Sequence, residues 1–234
     1  MSNKEAFNFS LWSFFDLLFT FQCPLCEQPS RTGRLCPLCR TFLDPLRDPC
    51  PTCGEPDTLE LQCGRCQKHP PPWTQARIAW PLTGATRFLI HRMKYDRDFA
   101  AARSLAHNWW QAQQPEFEPD ALVPVPQHPS KLRERGFNQA DWLARYWGKQ
   151  CGAPVWRGVD KVHTTTPLEG LNRAQRRQTL KGVFRVRTDP PRRIAIVDDV
   201  LTTGATATEL SRILKRAGAD SIELWTLART PLHR

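Results

Sequence analysis

The sequence contains no apolar run long enough to cross a bilayer. Its nearest approach is residues 6–21, where Phe7, Phe9, Leu11, Trp12, Phe14, Phe15, Leu17, Leu18, Phe19 and Phe21 are broken by Ser10, Ser13 and Asp16. A spanning helix needs about 20 predominantly apolar residues. The stretch also lacks a small-residue cleavage site and has a single lysine ahead of it, so it does not read as a secretion signal. It reads as an aromatic-rich helix docked on the protein, with attachment to a membrane surface as the alternative. A cytoplasmic protein is expected. An even cysteine count is missing too: there are nine, which argues against a secreted disulfide scaffold and suits a reducing compartment. Acidic residues are scarce, 23 Asp and Glu against 33 Lys and Arg, for a formal net charge of +10. Such an excess directs attention to polyanions or phosphates.

Eight of the cysteines form four pairs of one spacing: Cys23/Cys26, Cys36/Cys39, Cys50/Cys53 and Cys63/Cys66. Each CxxC can hold two thiolates on one side of a tight turn, and two such turns complete the tetrahedral site that zinc prefers. Sequential pairing into two structural four-cysteine sites is the simplest arrangement; the spacing leaves a cross-braced one open. Residues 23–72 contain six basic and six acidic side chains. Two zinc–thiolate sites would make this module about −4 and lower the whole protein to about +6. A negative module docks DNA poorly, so a scaffold or protein-contact role is expected, including contact with partner proteins.

The proline-rich "KHPPPW" at 68–73 closes this region. Two domains are expected: 1–72, an N-terminal helix plus a double zinc-ribbon-like module, and 73–234. In the second, "ARIAWPL", "DALVPVP", "APVWRGV", "LKGVFRVR", "RRIAIVDDV" and "SIELWTLAR" read as strands. "GATRFLIHRMK", "FAAARSLAHNWWQ", "GFNQADWLARYWGKQ" and "TGATATELSRILKRAGA" read as helices. Their alternation predicts an α/β fold with a mostly parallel sheet covered on both faces. Ligands then bind at the carboxyl ends of the strands.

One such end carries "AIVDDVLTTGAT", residues 195–206. Asp198 and Asp199 will not ionise comfortably side by side unless something positive or hydrogen-bond donating engages them; continued strand geometry turns them to opposite sides. A sugar diol with a divalent ion nearby would use both. The stretch that follows supplies helix N-terminal N–H groups, the hydroxyls of Thr202, Thr203 and Thr206, and a glycine, Gly204, that lets the backbone approach closely. That is a cup for a phosphate monoester. Diol plus phosphate describes a ribose 5-phosphate. Residues 127–187 hold thirteen basic and four acidic residues. Seven of the basic ones fall in two loops, "QHPSKLRERGFNQA" and "TTTPLEGLNRAQRRQTLKG", either of which can grip an anion.

"IAIVDDVLTTGAT" resembles the phosphoribosyl pyrophosphate (PRPP) motif of type I phosphoribosyltransferases. Four CxxC pairs followed by "MKYDR", "VPVPQHPSKLRERGFNQA", "RAQRRQTLKGVF" and that motif, in that order, resemble the ComF/GntX family over nearly the whole chain. The resemblance implies a phosphoribosyltransferase-like domain joined to zinc-binding cysteines, and an association with natural competence and the use of external DNA. It assigns Asp198 and Asp199 to the ribose hydroxyls, and Leu201, Thr202, Thr203, Gly204, Ala205 and Thr206 to the 5-phosphate. Arg133, Arg135, Gly136 and Asn138 would form the loop near the pyrophosphate. Arg173, Arg176, Arg177 and Lys181 would lie on a flexible loop that closes over the site. Many relatives carry Gln where this chain has Leu168, after Thr166 and Pro167. Magnesium with PRPP, and single-stranded DNA, are the implied ligands.

If the protein transfers phosphoribose, the step would be magnesium-dependent displacement of pyrophosphate by an acceptor the sequence does not name. If it does not, it would be a PRPP sensor or a DNA-binding accessory in which Phe137, Trp142 or Trp147 stacks on bases. Helical spacing places Phe137 and Trp147 more readily in the core. No base for the incoming nucleophile stands out, and His128 and His163 read as solvated loop histidines.

Overall fold

The computed structural model describes residues 21–30, 32–59, 61–162 and 182–230. The aromatic stretch up to residue 20 lies outside them, as does most of the second basic loop with His163, Arg173, Arg176, Arg177 and Lys181.

At the centre is β5 (Arg193–Leu201). Its apolar run does not alternate because both of its faces are covered; Ile194, Ala195, Ile196 and Val197 have no exposed surface. It lies between β6 (Ser221–Arg229) and β2 (Ala121–Pro124), with β1 (Gln75–Pro81) outside β6, in the order β1-β6-β5-β2. All three pairings are parallel, the arrangement that crossover helices impose.

Successive residues of β5 feed opposite cores. Ala195 and Val197 join the core formed with α3 (Gly84–Tyr95), α4 (Phe99–Gln113) and α6 (Gln139–Cys151). Ile194 and Ile196 join Leu210 and Leu214 of α7 (Ala205–Arg216) on the other face. The first core is built on tryptophan. Trp109 packs 4.0 Å from Trp147 and 5.5 Å from Trp225, centroid to centroid. Each indole N–H is satisfied, by the carbonyls of Thr226 and Ala106 and by the Glu223 carboxylate respectively, so burial costs no orphaned donor.

Two of the expected strands behave differently. In "APVWRGV" only Val155 bridges the sheet, at Leu122, because Pro154 has no N–H to give a ladder. The extended segment starts later, as β3 (Val159–Lys161), and pairs antiparallel with β4 (Phe184–Val186) in a separate hairpin. The first basic loop also contains a helix, α5 (Pro129–Arg135). Pro129 begins it, where the missing N–H costs nothing. His128 caps it by accepting the Ser130 N–H at 3.2 Å, so this histidine is a cap and not a free loop side chain.

The cysteine module contributes two short helices, α1 (Pro37–Arg40) and α2 (Gly64–Lys68). It rests directly on the sheet domain. The Leu46 N–H donates to the Ala79 carbonyl, the Ala76 N–H to that of Pro51, and the Leu35 N–H to Ser104 Oγ at 3.0 Å. Cys23, Leu35, Cys39 and Leu43 belong to the same core as the tryptophans.

Candidate functional site

Asp198 and Asp199 stand at the carboxyl end of β5, one turn of chain before α7. Gly204 is the N-cap of α7, in the left-handed region at φ 76°, and has no side chain with which to cap it. Its first turn carries no acidic residue, leaving the helix-terminal N–H groups and their partial positive charge to an incoming anion. Thr203 Oγ1 accepts the Ala205 N–H at 3.4 Å, and the Thr208 N–H begins the helical ladder to Gly204 O. A small cavity of about 30 Å³ beneath this turn is lined by Asp198, Thr202, Gly204, Ala205, Thr206 and Thr226. Residues 198–206 of the sequence motif are therefore together on one strand–turn–helix unit.

The two carboxylates engage different neighbours. Asp199 is buried and receives the Lys94 ammonium of α3 at 2.8 Å. Asp198 lines the cavity. Burial, followed by repulsion from Asp199, pushes its pKa up to about 7. The Asp199 N–H, at 2.9 Å from Oδ1, and the charges of Lys94 and Lys161 oppose the rise. Burial pulls Lys161 down in turn, against the attraction of Asp198. Positive charge thus does flank the acidic pair, from two lysines to which the sequence reading gave no role. Lys94 lies in "MKYDR", whose helical setting was legible; its pairing with Asp199 spans about a hundred residues and was not. Lys161, at the edge of the hairpin, carried no sequence signal.

The last turn of α3 also reaches the first basic segment. The Arg135 guanidinium lies over the Tyr95 ring, 5.4 Å from its centroid, and Arg97 Nε donates to the Arg135 carbonyl at 3.1 Å. Gly136 ends α5 at φ 79°, and a Cβ there would meet the Arg97 guanidinium at 2.8 Å. Asn138 is committed to structure: its side chain caps α6 through the Ala140 N–H and donates to Val125 O, both at 3.0 Å. Arg133 is exposed on α5. Since β2 and β5 are parallel neighbours, with Pro124 beside Val197, α5 follows β2 at the same sheet end as the acidic pair. A cavity of about 210 Å³ opens there, lined in part by Pro126, Gln127, Leu132, Asp141, Arg157 and Arg187. Arg173, Arg176, Arg177 and Lys181 are outside the described residues, between β3 and β4.

The cysteines gather sequentially: Cys23, Cys26, Cys36 and Cys39 in one group, Cys50, Cys53, Cys63 and Cys66 in the other. Within each, all sulfurs lie within 4.8 Å of one another. Cys26 and Cys36 Sγ are 3.9 Å apart and those of Cys53 and Cys63 3.7 Å. A tetrahedron with Zn–S bonds of about 2.3 Å needs about 3.8 Å, so both groups fit zinc. Against the cost of burial, backbone N–H groups hold the Cys23 thiol down to about 6 and that of Cys50 to about 7. They include the Cys36 and Cys63 N–H groups, 3.4 and 3.3 Å from the sulfurs. Burial and neighbouring thiols push Cys39 and Cys66 up. Amide-to-sulfur bonds of this kind also fix the direction of ligand sulfurs.

No family model matches the chain. It is 32% identical to competence protein F of Haemophilus influenzae over 90% of its own length and 98% of the relative's. It is 33% identical to the DNA utilization protein YhgH of Escherichia coli K12, covering 89% and 96%, and 24% identical to competence protein ComFC of Streptococcus pneumoniae, covering 89% and 100%. With identity above 30% over about nine-tenths of its length, this chain belongs to the ComF family.

Proposed function

We propose that the chain binds a ribose 5-phosphate of the PRPP class at the β5–α7 turn and acts in the use of external DNA, a reading supported by relatives named for competence and DNA utilization. The observation that carries the reading is the paired carboxylate at the end of the central strand, followed within one turn by a helix N-terminus that has glycine at its N-cap and no acidic residue in its first turn. In this reading Asp198 and Asp199 hold the ribose hydroxyls, and the Lys94 ammonium orients the Asp199 carboxylate through their ion pair. The turn from Leu201 to Thr206 takes the 5-phosphate through backbone N–H and threonine hydroxyl groups. Arg133 and Arg135 serve the pyrophosphate from α5, and Arg173, Arg176, Arg177 and Lys181, which lie outside the described residues, would add further positive charge to it. A magnesium ion bound with PRPP would add charge neutralisation at the pyrophosphate. If an acceptor enters the 210 Å³ cavity, the chemistry is displacement of pyrophosphate through an oxocarbenium-like transition state, stabilised by arginines preorganised around the leaving group. No catalytic base is assigned. Zinc holds the two four-cysteine groups as structural sites.

Calorimetric titration of PRPP with magnesium tests this, using wild type and Asp199→Asn. Micromolar binding that is lost in the variant is expected. No binding to folded wild-type protein would refute a working ribose-phosphate site.

A second reading, a single-stranded-DNA-binding accessory, is favoured by a specific surface. On α6, Trp142 and Tyr146 stack at 5.7 Å with planes 19° apart along an open groove of about 670 Å³ that also presents Arg145 and Lys149. Aromatic faces flanked by cations suit unpaired bases and phosphates. Phe137 contacts the exposed Phe99 at 5.3 Å, near this row. Trp147 is fully buried and is excluded as a stacking platform.

A further inference from the structure

The two cysteine groups are not equivalent in what they touch. The first abuts α3 and α4: the Leu35 N–H reaches Ser104 Oγ, and Arg92 Nη1 donates to the Pro24 carbonyl at 3.0 Å. The second abuts the phosphate turn. Trp73, which is 6% exposed, donates its indole N–H to the Thr52 carbonyl at 2.7 Å, inside the Cys50–Cys53 knuckle. The far edge of the same ring lies against Gly204: a Cβ built on that glycine would sit 3.5 Å from Trp73 Cη2. Arg229 makes a parallel connection. Its guanidinium donates to the Cys53 carbonyl and, at 2.6 Å, to Glu55. Its backbone is the β6 partner of Leu201, the last residue before the turn. Thr230, next in the chain, donates its N–H to the Leu201 carbonyl at 3.0 Å. Cys53, Cys66, Trp73, Leu201, Gly204 and Arg229 consequently wall one narrow cleft.

We propose that the Cys50/Cys53/Cys63/Cys66 site braces the phosphate turn through the positioning residues Trp73 and Arg229, so that metal at this site, and not at Cys23/Cys26/Cys36/Cys39, sets the order of residues 201–206. The physical reason is the shortness of the path. A metal fixes the Cys50–Cys53 knuckle; the knuckle's carbonyls at Thr52 and Cys53 fix one indole and one guanidinium; these residues seat the two ends of a turn whose N-cap, Gly204, has no side chain to cap the helix it begins. Losing the metal frees both carbonyls at once. A site for phosphate that depends on backbone N–H direction is sensitive to that loss, because its donors must be preorganised to bind. The consequence for anion affinity rests on the ribose-phosphate reading; the brace itself does not.

The test is hydrogen–deuterium exchange by mass spectrometry on the full chain, alongside zinc content. Wild type, Cys63→Ser, Cys26→Ser and Trp73→Phe are compared. Each cysteine variant is expected to lose about one zinc equivalent, yet only Cys63→Ser accelerates exchange across 201–206, by about tenfold or more, while Cys26→Ser stays within about twofold. Trp73→Phe keeps both zincs, removes the Thr52 hydrogen bond and still accelerates the turn, which a general loss of folding would not explain. Equal acceleration in both cysteine variants, or an unchanged turn in Trp73→Phe, overturns the brace. The Trp73→Phe arm decides alone if Cys63→Ser does not fold. Calorimetry with ribose 5-phosphate should then show Kd raised about tenfold in Cys63→Ser and Trp73→Phe but not in Cys26→Ser. Wild type that does not bind ribose 5-phosphate would refute the ligand reading, and the exchange data would still decide the brace.

Discussion

Replacing Asp198 with Asn should stabilise the ligand-free protein at alkaline pH while abolishing ribose-phosphate binding. Burial and the adjacent Asp199 raise the Asp198 pKa from 3.8 to about 7. Between those values the native state holds a proton that the unfolded state has released. Stability therefore falls as pH rises through this window, and the cost is complete above about pH 7. From about pH 5.5 to about pH 7 the window spans about one and a half units, worth about 2 kcal/mol at about 1.36 kcal/mol per unit. Asn keeps an oxygen for the Asp199 N–H but gives up attraction to Lys94 and Lys161, which offsets part of the gain without removing its pH dependence. The advantage of Asp198→Asn over wild type should thus grow by about 1–2 kcal/mol between about pH 5.5 and about pH 8, or about 4 °C in Tm for a protein of this size. Thermal melts of zinc-loaded protein in the two buffers, without magnesium, measure it. A difference that stays constant with pH would mean that this carboxyl does not titrate in the window. A less stable variant at about pH 8 would refute the claim that its charge is a burden in the free protein. A stabilising substitution that destroys binding is the trade expected of a site held under electrostatic strain.

Other outcomes follow from the same geometry. Lys94→Met leaves the buried Asp199 without its ion-pair partner, and should cost about 1.5–3 kcal/mol in a denaturant melt and weaken PRPP binding. Chelating zinc should collapse the ordered structure of residues 21–72, since so small a module has little core of its own; unchanged circular dichroism and Tm would remove the metal assignment. Trp147→Ala should lose about 3–5 kcal/mol of stability from the tryptophan core, with no selective effect on DNA. Trp142→Ala should instead lower single-stranded-DNA affinity by about 1–3 kcal/mol at little cost in stability, and that affinity should fall steeply with salt in fluorescence anisotropy titrations.

What the sequence determined by itself was local or periodic. The unbroken apolar run of β5 announced a strand buried on both faces, and the strand–helix alternation announced a parallel sheet; such patterns follow from covering both faces of a sheet. The acidic pair with its small hydroxyl-rich turn, and the repeated CxxC spacing, were equally legible, because neighbours in the chain remain neighbours in the fold. The proline that starts α5 and the histidine that caps it were visible as residues but not as a helix, since a seven-residue helix depends on its surroundings more than on propensity. The tertiary structure alone decided what lies opposite each group. It chose sequential over cross-braced cysteines, buried Trp147 while leaving Trp142 and Tyr146 beside a groove, and brought Lys94 to Asp199. It also set Trp73 between a cysteine knuckle and Gly204. Contacts of that kind join residues far apart in sequence, and they form only once the sheet and its packed helices have fixed where each strand ends.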